Sequence, residues 1–486
     1  MHFVNLVGGL KAEIVGKTNI DISGIAYDSR QVNPGDLFVA IPGFKTDGHQ
    51  FINQAVSSGA AALVVTDRNV RADVPVVYVD NSRKALAFLA ANFYGHPSHA
   101  LKVFGVTGTN GKTTTCHLLR EVFSQQGYKV GVMGTIGNWL GTQRMNTART
   151  TPESLEIQKM FRDMVDSGVS HVVMEVSSHA LELHRVDQVN FRSAVFTNLS
   201  QDHLDFHENL EEYLQAKGKL FKGLTGDALA IINMDDMGSF RHLQEVTQVP
   251  IITYGRHKDA IFKAENIVLS RDGVTFDISY REQKLPVALH TPGLFSVYNA
   301  LAAATVALEE GVEPGAVSSA LADVLGVSGR FQRVDCGQEF TVIVDYAHTP
   351  DSLKNILVTA EEFVSGRLIT VFGCGGDRDK AKRPLMGEVA AKNSDLTVVT
   401  SDNPRSEEPE DIISDILPGV KAYTENYRVI EDRRQAIHYA VSQAKAGDMV
   451  VIAGKGHETY QEIKGQVFPF DDREVVKDVL RGQISC

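Results

Sequence analysis

The chain of 486 residues carries a net charge of −12 and has no long basic cluster, which argues against nucleic acid as its main partner. Its length predicts about three domains, and its hydrophobic fraction of 43% is typical of globular chains that bury full cores. The N-terminus lacks a charged-then-apolar leader, and no apolar run approaches ~18 residues. We therefore expect a cytoplasmic protein with no membrane partner, and we expect a monomer.

The cysteines lie far apart and none belongs to a Cys-x-x-Cys pair. This spacing argues against a disulfide framework and against a zinc ribbon. The four residues are Cys116, Cys336, Cys374 and Cys486.

Residues 1–97 are predicted to form a small α/β domain. Apolar runs bounded by turn residues predict strands, and apolar residues at helical spacing predict the helices between and after them. The predicted strands are 36–41, 61–65 and 74–79, and the predicted helices are 49–58 and 81–94. The polar loop 27–30, before the first strand, is by its residues alone typical of a solvated turn.

A second domain is predicted for residues 98–330, beginning with a phosphate-binding loop. A buried strand at 101–106 leads into a glycine-rich loop, and a helix follows at 113–126. Backbone N–H groups in such a loop, with the positive end of the helix dipole, bind phosphates. Lys112 would reach the terminal phosphates and Thr113 would face magnesium. The strict P-loop has glycine where this chain has Val106, so a glycine-rich turn with a surface lysine is the alternative.

Two further segments of this domain bring polar residues to strand ends. Thr151 is predicted to cap a helix that runs to 166, and a buried strand at 171–178 carries Glu175 near its carboxyl end. Ligands bind beyond the carboxyl ends of parallel strands, so Glu175 is a candidate magnesium ligand. A structural pair with a basic neighbour explains the glutamate equally well.

The strand predicted at 191–197 ends in a loop crowded with carboxylates and imidazoles. The members are Asp202, His203, Asp205 and His207. The helix after it, at 209–224, carries Lys217, Lys219 and Lys222, which by position alone form a solvated face. A β-rich stretch follows to 290, and an alanine-rich helix follows that to 310.

The third domain, residues 331–486, is predicted to be Rossmann-like. Four strands at 339–345, 367–372, 396–400 and 448–453 alternate with helices, which indicates parallel βαβ units. Each strand ends in a polar, glycine-rich loop, so the four loops meet at one sheet edge. The glycines at 373–376 do not form G-x-G-x-x-G, which argues against a dinucleotide.

Taken together, several motifs resemble the Mur ligase family over essentially the whole chain. They are Gly108-Thr-Asn-Gly-Lys-Thr-Thr114, Glu175-Val-Ser-Ser-His179, Asn198 with Asp202-His203, and Asp345-Tyr-Ala-His348. The family adds amino acids to the cell-wall precursor with ATP. The altered P-loop spacing is the family's own form. The resemblance implies three α/β domains: a UDP-substrate domain (1–97), a central P-loop ATPase domain with a parallel sheet (98–330) and a C-terminal amino-acid-binding domain (331–486).

Asp402-Asn-Pro-Arg405 and Gly454-Lys-Gly-His-Glu458 resemble the family members that add the third peptide residue. Lysine-adding relatives tend to lack arginine at the position of Arg405, so its presence favours meso-diaminopimelate. The implied substrates are ATP, UDP-N-acetylmuramoyl-L-alanyl-D-glutamate and diaminopimelate, joined through an acyl phosphate on the D-glutamate.

The resemblance also implies roles for individual residues. ATP would be bound by Gly108, Thr109, Asn110, Gly111, Lys112, Thr113, Thr114, Asn299, Arg330, Asp345 and His348. Two Mg²⁺ ions would be held by Thr113, Glu175, His203 and Lys217, the last as a carbamate formed with carbon dioxide. The catalytic residues would be Lys112, Glu175, His203 and Lys217. The UDP-linked substrate would contact Ser29, Thr150, Thr151, Ser177 and Arg185. Diaminopimelate would contact Arg378, Asp402, Asn403, Pro404, Arg405, Gly454 and Glu458.

Several alternatives remain open from the sequence. The alternative for Lys217 is an ordinary surface lysine, and Lys219 is the neighbour with which it could be confused. The amino acid could be L-lysine. A folylpolyglutamate synthetase shares the ATP half, but the separate N-terminal domain argues against it. A GTPase would need Asn-Lys-x-Asp, and no asparagine in this chain precedes a lysine. We also expect the third domain to move, with hinges near residues 98 and 331.

Overall fold

The computed structural model describes residues 1–43, 46–141, 143–145, 149–203 and 206–483. Asp205 and Cys486 therefore lie outside the described residues. Three α/β units follow one another along the chain, each around its own main sheet. The α/β class, the parallel central sheet and the Rossmann-like third domain are confirmed.

The N-terminal unit is a five-stranded sheet in the order β1-β5-β4-β3-β2, with only β1 antiparallel among its strands. Its strands are β1 (Glu13–Val15), β2 (Gly24–Ala26), β3 (Asp36–Val39), β4 (Ala62–Val65) and β5 (Val76–Tyr78). Its helices are α1 (Phe3–Val7), α2 (Ile52–Ser57) and α3 (Ser82–Tyr94). Asn81 caps α3 through its side chain, and Gly95 ends it in the left-handed conformation, as its sequence predicts.

The central unit is an eleven-stranded sheet in the order β16-β15-β14-β13-β12-β11-β6-β10-β7-β8-β9. Its strands are β6 (Lys102–Thr107), β7 (Val130–Met133), β8 (Asn138–Leu140), β9 (Gln143–Met145), β10 (His171–Glu175), β11 (Phe191–Phe196), β12 (Leu229–Asn233), β13 (Ile251–Gly255), β14 (Phe262–Ser270), β15 (Gly273–Tyr280) and β16 (Gln283–Leu289). Its helices are α4 (Lys112–Gln125), α5 (Ser154–Asp166), α6 (Ser178–Glu182), α7 (Leu210–Lys222), α8 (Met237–Val246), α9 (Leu294–Glu309) and α10 (Pro314–Ala322). The seven strands from β14 to β7 run parallel, and antiparallel pairs extend the sheet at both ends.

The third unit is a six-stranded sheet in the order β17-β18-β22-β19-β20-β21, with β17 antiparallel at one edge. Its strands are β17 (Gln332–Val334), β18 (Thr341–Asp345), β19 (Leu368–Phe372), β20 (Leu396–Val399), β21 (Tyr427–Val429) and β22 (Met449–Ala453), with a separate hairpin of β23 (Tyr460–Ile463) and β24 (Gln466–Pro469). Its helices are α11 (Pro350–Phe363), α12 (Lys382–Lys392), α13 (Pro409–Lys421), α14 (Arg433–Gln443) and α15 (Asp472–Gln483). Helices cover both faces: α11, α12 and α13 bury one face, and α14 and α15 bury the other.

One predicted helix start is wrong. The helix predicted to begin at Thr151 begins at Ser154, with Glu153 at the N-cap. The Thr151 hydroxyl instead donates to the carbonyl of Glu175, at 2.9 Å. Thr151 is therefore bonded to the end of β10 and does not cap the helix. The strand predicted at 171–178 ends at Glu175, because Ser177 caps a short helix.

His171, at the start of β10, makes folding sensitive to acid. Its ring is buried, 4.1 Å from Tyr128 and 4.9 Å from Phe123 between ring centres, and burial lowers its pKa to about 4. An unfolded histidine titrates near ~6.5, so the unfolded chain takes up the proton first as the pH falls. The contribution of His171 to the unfolding free energy is therefore fully present above about pH 6.5, and it decreases as the pH falls toward 4.

Between pH 8 and pH 5, the titration of His171 should lower the unfolding free energy of the wild type by about 2 kcal/mol. We predict that His171→Phe does not show this part of the decrease. Urea denaturation at both pH values measures it. His438→Gln, which changes an exposed histidine of α14, is the control and keeps the wild-type pH dependence. An unchanged pH dependence in His171→Phe would contradict the prediction.

Candidate active site

The loop between β6 and α4 adopts the conformation expected of a phosphate-binding loop. Gly108 and Gly111 have φ of 143° and 87°, values that side chains rarely allow. A Cβ at Gly108 would overlap Thr197 Oγ1, and one at Gly111 would overlap Asn299 Oδ1. Asn299, predicted to bind ATP, therefore lies directly against the loop.

Lys112 folds back over this loop. Its Nζ donates to the carbonyls of Gly108 and Thr109, at 2.9 and 2.8 Å. Burial lowers the pKa of Lys112, whereas the carboxylates of Glu175 and Asp202 act in the opposite direction. The amine therefore lies over the loop, within reach of a phosphate that binds there.

The strand next to the P-loop braces it from the side. Asn198 Oδ1 accepts from the N–H of Asn110 at 2.9 Å, and Thr197 Oγ1 donates to the Asn110 carbonyl at 2.6 Å. Ser200 N donates to Thr109 Oγ1 at 3.0 Å. Thr197 and Ser200 were not predicted as site residues, although their position after a parallel strand was a usable signal.

Glu175 is the centre of a buried polar cluster. Its Oε1 accepts from the hydroxyl of Thr113 at 3.0 Å and from the N–H of Thr135 at 2.8 Å. Its Oε2 accepts from the Thr135 hydroxyl at 3.0 Å. Thr135 follows β7, whose carboxyl end lies beside that of β10, and sequence reasoning missed it. Arg330 Nη2 donates to Thr113 Oγ1 at 3.0 Å, so this side chain reaches the loop from the junction with the third unit.

Lys217 is not a surface lysine. It is 1% exposed, and its Nζ donates to the Gly108 carbonyl at 2.9 Å and lies 4.2 Å from the ring centre of Tyr213. Burial, with Lys112 nearby, lowers its pKa well below the usual lysine value. Lys219 points into solvent and pairs with Glu182. The two lysines are thereby distinguished.

Asp202 and His203 lie on the loop after β11. Asp202 Oδ1 accepts from the N–H of His203 at 2.9 Å, and Oδ2 lies 3.4 Å from its Nε2. Burial alone would raise the pKa of Asp202, but His203, His348 and Lys382 outweigh it and hold the pKa low. Burial lowers the pKa of His203 well below its usual value.

The remaining predicted ATP residues lie at the junction between the central and third units. Asp345 is buried and accepts from the N–H groups of Phe331 and Ala347, at 2.5 and 2.6 Å. Burial raises its pKa despite Arg330 nearby. His348 Nδ1 donates to the Tyr346 carbonyl at 2.8 Å, and burial lowers the pKa of His348 to about 4.

Four of the five residues predicted for the UDP-linked substrate lie together beside Glu175. Thr150 Oγ1 is 3.1 Å from Thr135 Oγ1, Ser177 N donates to Thr151 Oγ1 at 3.1 Å, and Arg185 Nη1 donates to the Thr151 carbonyl at 3.1 Å. Ser29 is separate, on the N-terminal unit, where its hydroxyl donates to Gln54.

An unpredicted arginine cluster lies next to this group. Glu153 Oε2 is within 3.3–3.4 Å of three guanidinium groups, from both the N-terminal and the central unit. They belong to Arg83, Arg149 and Arg185. No local motif marks Glu153 or Arg83, because the cluster forms only when the two units meet.

In the third unit, the loop after β20 meets the loop after β22. Asn403 Nδ2 donates to Glu458 Oε2 at 2.8 Å, and the buried Lys455 donates to Asn403 Oδ1 at 2.9 Å and to Glu458 at 3.2 Å. Burial and Asp402 raise the pKa of Glu458. A Cβ at Gly454 would contact Asp402 Oδ2 at 2.5 Å, so glycine allows this approach. Lys455 was not predicted as a site residue.

Arg405 has a left-handed φ of 53° and a side chain that is 20% exposed. Its Nη1 donates to the Gly376 carbonyl at 2.7 Å, and its Nε lies 3.6 Å from Glu462 Oε2. The β23–β24 hairpin fixes its backbone, because Arg405 N donates to the Glu462 carbonyl. Arg378, by contrast, is exposed and donates to the carbonyl of Asp377. Pro404 continues the same loop, with its carbonyl against Gly376.

Known proteins match this chain from end to end. Residues 21–94 match the Mur ligase family catalytic domain, 106–307 the Mur ligase middle domain, and 329–456 the Mur ligase glutamate ligase domain. A UDP-N-acetylmuramoyl-L-alanyl-D-glutamate–2,6-diaminopimelate ligase from Caldanaerobacter subterraneus subsp. tengcongensis is 51% identical over 482 residues, covering 99% of each chain. The chain belongs to the Mur ligase family.

Solved Mur ligase structures share the whole architecture. The structure of a UDP-N-acetylmuramoyl-L-alanyl-D-glutamate–2,6-diaminopimelate ligase superposes with a TM-score of 0.70 at 34% identity and covers 99% of both chains. The MurF ligase of Thermotoga maritima, solved in complex with ADP, has a TM-score of 0.65 at 19% identity and covers 94% of this chain and 97% of its own. The latter likeness shows the fold alone.

Family membership accounts for the departure from the strict P-loop spacing and excludes the GTPase alternative. Mur ligases are ATP-dependent ligases of peptidoglycan synthesis, and their substrates are small molecules. No helix among the described residues is long and apolar enough to cross a membrane.

Proposed function

We propose that this protein is an ATP-dependent ligase that joins meso-2,6-diaminopimelate to UDP-N-acetylmuramoyl-L-alanyl-D-glutamate. The observation that carries the proposal is a contact between the two units that would hold the nucleotide and the amino acid. The P-loop of the central unit faces the third unit, where Asn110 Nδ2 donates to Asp351 at 2.8 Å. The amino-acid loop with Arg405 belongs to that same third unit. Full-length relatives of the proposed activity, such as the one at 51% identity, support the assignment.

The chemistry fits the charges in the gap. The γ-phosphoryl group moves from ATP to an oxygen of the D-glutamate γ-carboxylate, and ADP leaves. The amine of diaminopimelate then attacks the acyl carbon, the carbon–oxygen bond to phosphate breaks, and phosphate leaves as the amide forms. All reacting groups except the amine are anionic, so catalysis depends on positioning and charge neutralisation. Lys112 and Arg330 supply cations at the P-loop.

Thr113 and Glu175 fit a magnesium site. Their oxygens lie 3.0 Å apart at the start of α4, and hydroxyl and carboxylate oxygens are the ligands that Mg²⁺ prefers. Among the described residues no group of three His, Cys, Asp or Glu side chains could hold a metal, which suits an ion that completes its shell with phosphate and water. Magnesium, when bound, neutralises phosphate charge. His203 and the carbamate of Lys217 would serve a second ion.

Lys217 fits a carbamate because its amine is buried and close to a second cation. A lowered pKa increases the neutral fraction of the amine, which is the form that reacts with carbon dioxide. The nitrogen bonds to the carbon of CO₂ and loses a proton, so a cation becomes an anion next to the P-loop.

Diaminopimelate would be held by the loops after β20 and β22. Arg405 would bind the distal carboxylate, since a planar guanidinium can donate two parallel hydrogen bonds to it. The acidic side chains would bind the ammonium groups, and Arg378 would close the pocket. The full set is Arg378, Asp402, Asn403, Pro404, Arg405, Gly454 and Glu458. The UDP-linked substrate would extend from Ser29 to the group around Thr151.

We further infer a cytoplasmic monomer divided at residues 1–97, 98–330 and 331–486. Hinges near 98 and 331 would let the third domain close on the central one. The contact between Arg330 and Thr113 supports this, since it places the junction itself against the nucleotide loop. Scattering profiles that do not change when substrates are added would argue against the motion.

The proposed reaction predicts an isotope transfer. With ¹⁸O in the D-glutamate γ-carboxylate, one labelled oxygen should appear in the released phosphate, because the acyl carbon–oxygen bond breaks. Mass spectrometry of phosphate and of the UDP-linked product measures both. Omitting diaminopimelate should prevent the tripeptide. Tripeptide formed with unlabelled phosphate would overturn the acyl-phosphate route, and no tripeptide at all would overturn the function.

A further inference from the structure

Lys382, the first residue of α12, is a buried cation that forms one ion pair among the described residues. Its side chain is 6% exposed, and its Nζ lies 3.8 Å from Asp202 Oδ1. Its side chain makes no hydrogen bond to any other residue in the part of the chain that the structure describes. Burying an ammonium group is costly unless a counter-charge accompanies it. Asp202, itself 7% exposed, is that counter-charge.

The ion pair connects two units. Lys382 belongs to the six-stranded unit, and Asp202 lies on the loop after β11 of the central sheet. The same carboxylate contacts His203 twice, at 2.9 Å to its N–H and 3.4 Å to its Nε2. His203 has a left-handed φ of 56°, an unfavourable conformation that its surroundings must maintain. Lys382 therefore reaches His203 through Asp202.

The base of Lys382 is firmly anchored. The adjacent Arg383 has a fully buried side chain that pairs with Glu407 and with Asp415, each at 2.8 Å. These contacts fasten the start of α12 to α13 and to the segment before it. The ammonium group therefore belongs to a firmly anchored part of the third unit. Its position relative to Asp202 depends on how the third unit is placed against the central one.

We propose that Lys382 is a positioning residue for the ligation reaction. When the third unit closes on the central one, its ammonium fixes the Asp202 carboxylate, and the carboxylate fixes His203 in its left-handed conformation beside the P-loop. No bond of Lys382 forms or breaks. The inference rests on the proposed function, in which His203 would bind a metal ion. The contacts of Lys382, Asp202 and His203 are present whatever the reaction is.

Two variants test it together with a matched control. Lys382→Met should lower kcat at least 10-fold and raise the magnesium concentration for half-maximal rate about 10-fold, while KM for diaminopimelate changes less than 2-fold. Lys392→Met removes an exposed lysine at the other end of the same helix and should behave as wild type. Lys382→Arg keeps the charge and should restore the magnesium requirement. A Lys382→Met enzyme with the wild-type requirement would overturn the proposal.

A double variant distinguishes action through Asp202 from independent action. Asp202→Asn with Lys382→Met should be no slower than Asp202→Asn alone, since contacts in one network are not additive. A further 10-fold loss would overturn the proposal. If Lys382→Met does not fold, Asp202→Asn alone must still raise the magnesium requirement, and a wild-type requirement there would equally overturn it.

One readout does not depend on the ligase reaction. In protein with ¹³C-labelled histidine rings, the His203 signal, assigned by its loss in His203→Gln, should shift in Lys382→Met but not in Lys392→Met. An unshifted signal would refute the positioning role. If the His203 signal shifts in Lys382→Met but the wild-type protein forms no tripeptide, the proposed function is refuted and the positioning role of Lys382 stands.

Discussion

Arg405→Ala is expected to lower kcat/KM for meso-diaminopimelate about 30- to 4,000-fold, equivalent to about 2–5 kcal/mol. The guanidinium is held in place before substrate arrives, by the Gly376 carbonyl on Nη1 and by Glu462 beside Nε. Among the described residues its Nη2 has no hydrogen-bond partner, and we propose that it binds the distal carboxylate of the amino acid. Removing it would leave that carboxylate buried without a partner. Steady-state phosphate release measures the effect.

The effect should be confined to the amino acid. KM for ATP should stay within about 2-fold, because Arg405 belongs to the loop after β20 and not to the P-loop. Arg428→Ala, on the exposed edge strand β21, is the matched control and should leave both constants unchanged. Near-normal affinity for diaminopimelate in Arg405→Ala would show that the distal carboxylate binds elsewhere.

Lys217→Met should reduce kcat about 10²- to 10³-fold, the loss typical when one electrostatic group at a reacting centre is removed. Methionine fills the buried space next to Tyr213 but cannot form a carbamate. Lys219→Met, two residues along, removes only an exposed pair with Glu182 and should keep full activity. Rates in buffer depleted of CO₂ should fall for the wild type and recover with bicarbonate. A rate independent of CO₂ would contradict the carbamate.

The elements of the fold were predictable wherever apolar runs were long and loops short. The P-loop strand and helix, the strand before Glu175 and the four strands of the third domain follow from periodicity and from glycine placement. β21 was missed because it is a three-residue edge strand with largely exposed side chains. The helix after Thr151 begins late because that hydroxyl bonds a residue 24 positions away, which no local pattern encodes.

The candidate site was predictable where one motif carries it, and not where several segments meet. Glu175 and Lys217 were predicted from motifs, and burial shows that Lys217 is not a surface lysine. Thr135, Lys455 and the cluster around Glu153 are assembled by tertiary contacts between separate loops or units. Arg405 was predicted as a site residue from its motif, whereas its left-handed backbone, imposed by pairing with the β23–β24 hairpin, became visible only in the fold.

Phosphate release from ATP and UDP-N-acetylmuramoyl-L-alanyl-D-glutamate, compared with meso-diaminopimelate and with L-lysine under the same conditions, tests the proposed reaction most directly. Rapid release with diaminopimelate and little with lysine is the predicted result, because only diaminopimelate carries the carboxylate that Arg405 would bind. Equal or faster release with lysine would contradict the role of Arg405. Release with neither, from a folded protein that binds ATP, would contradict the ligase itself.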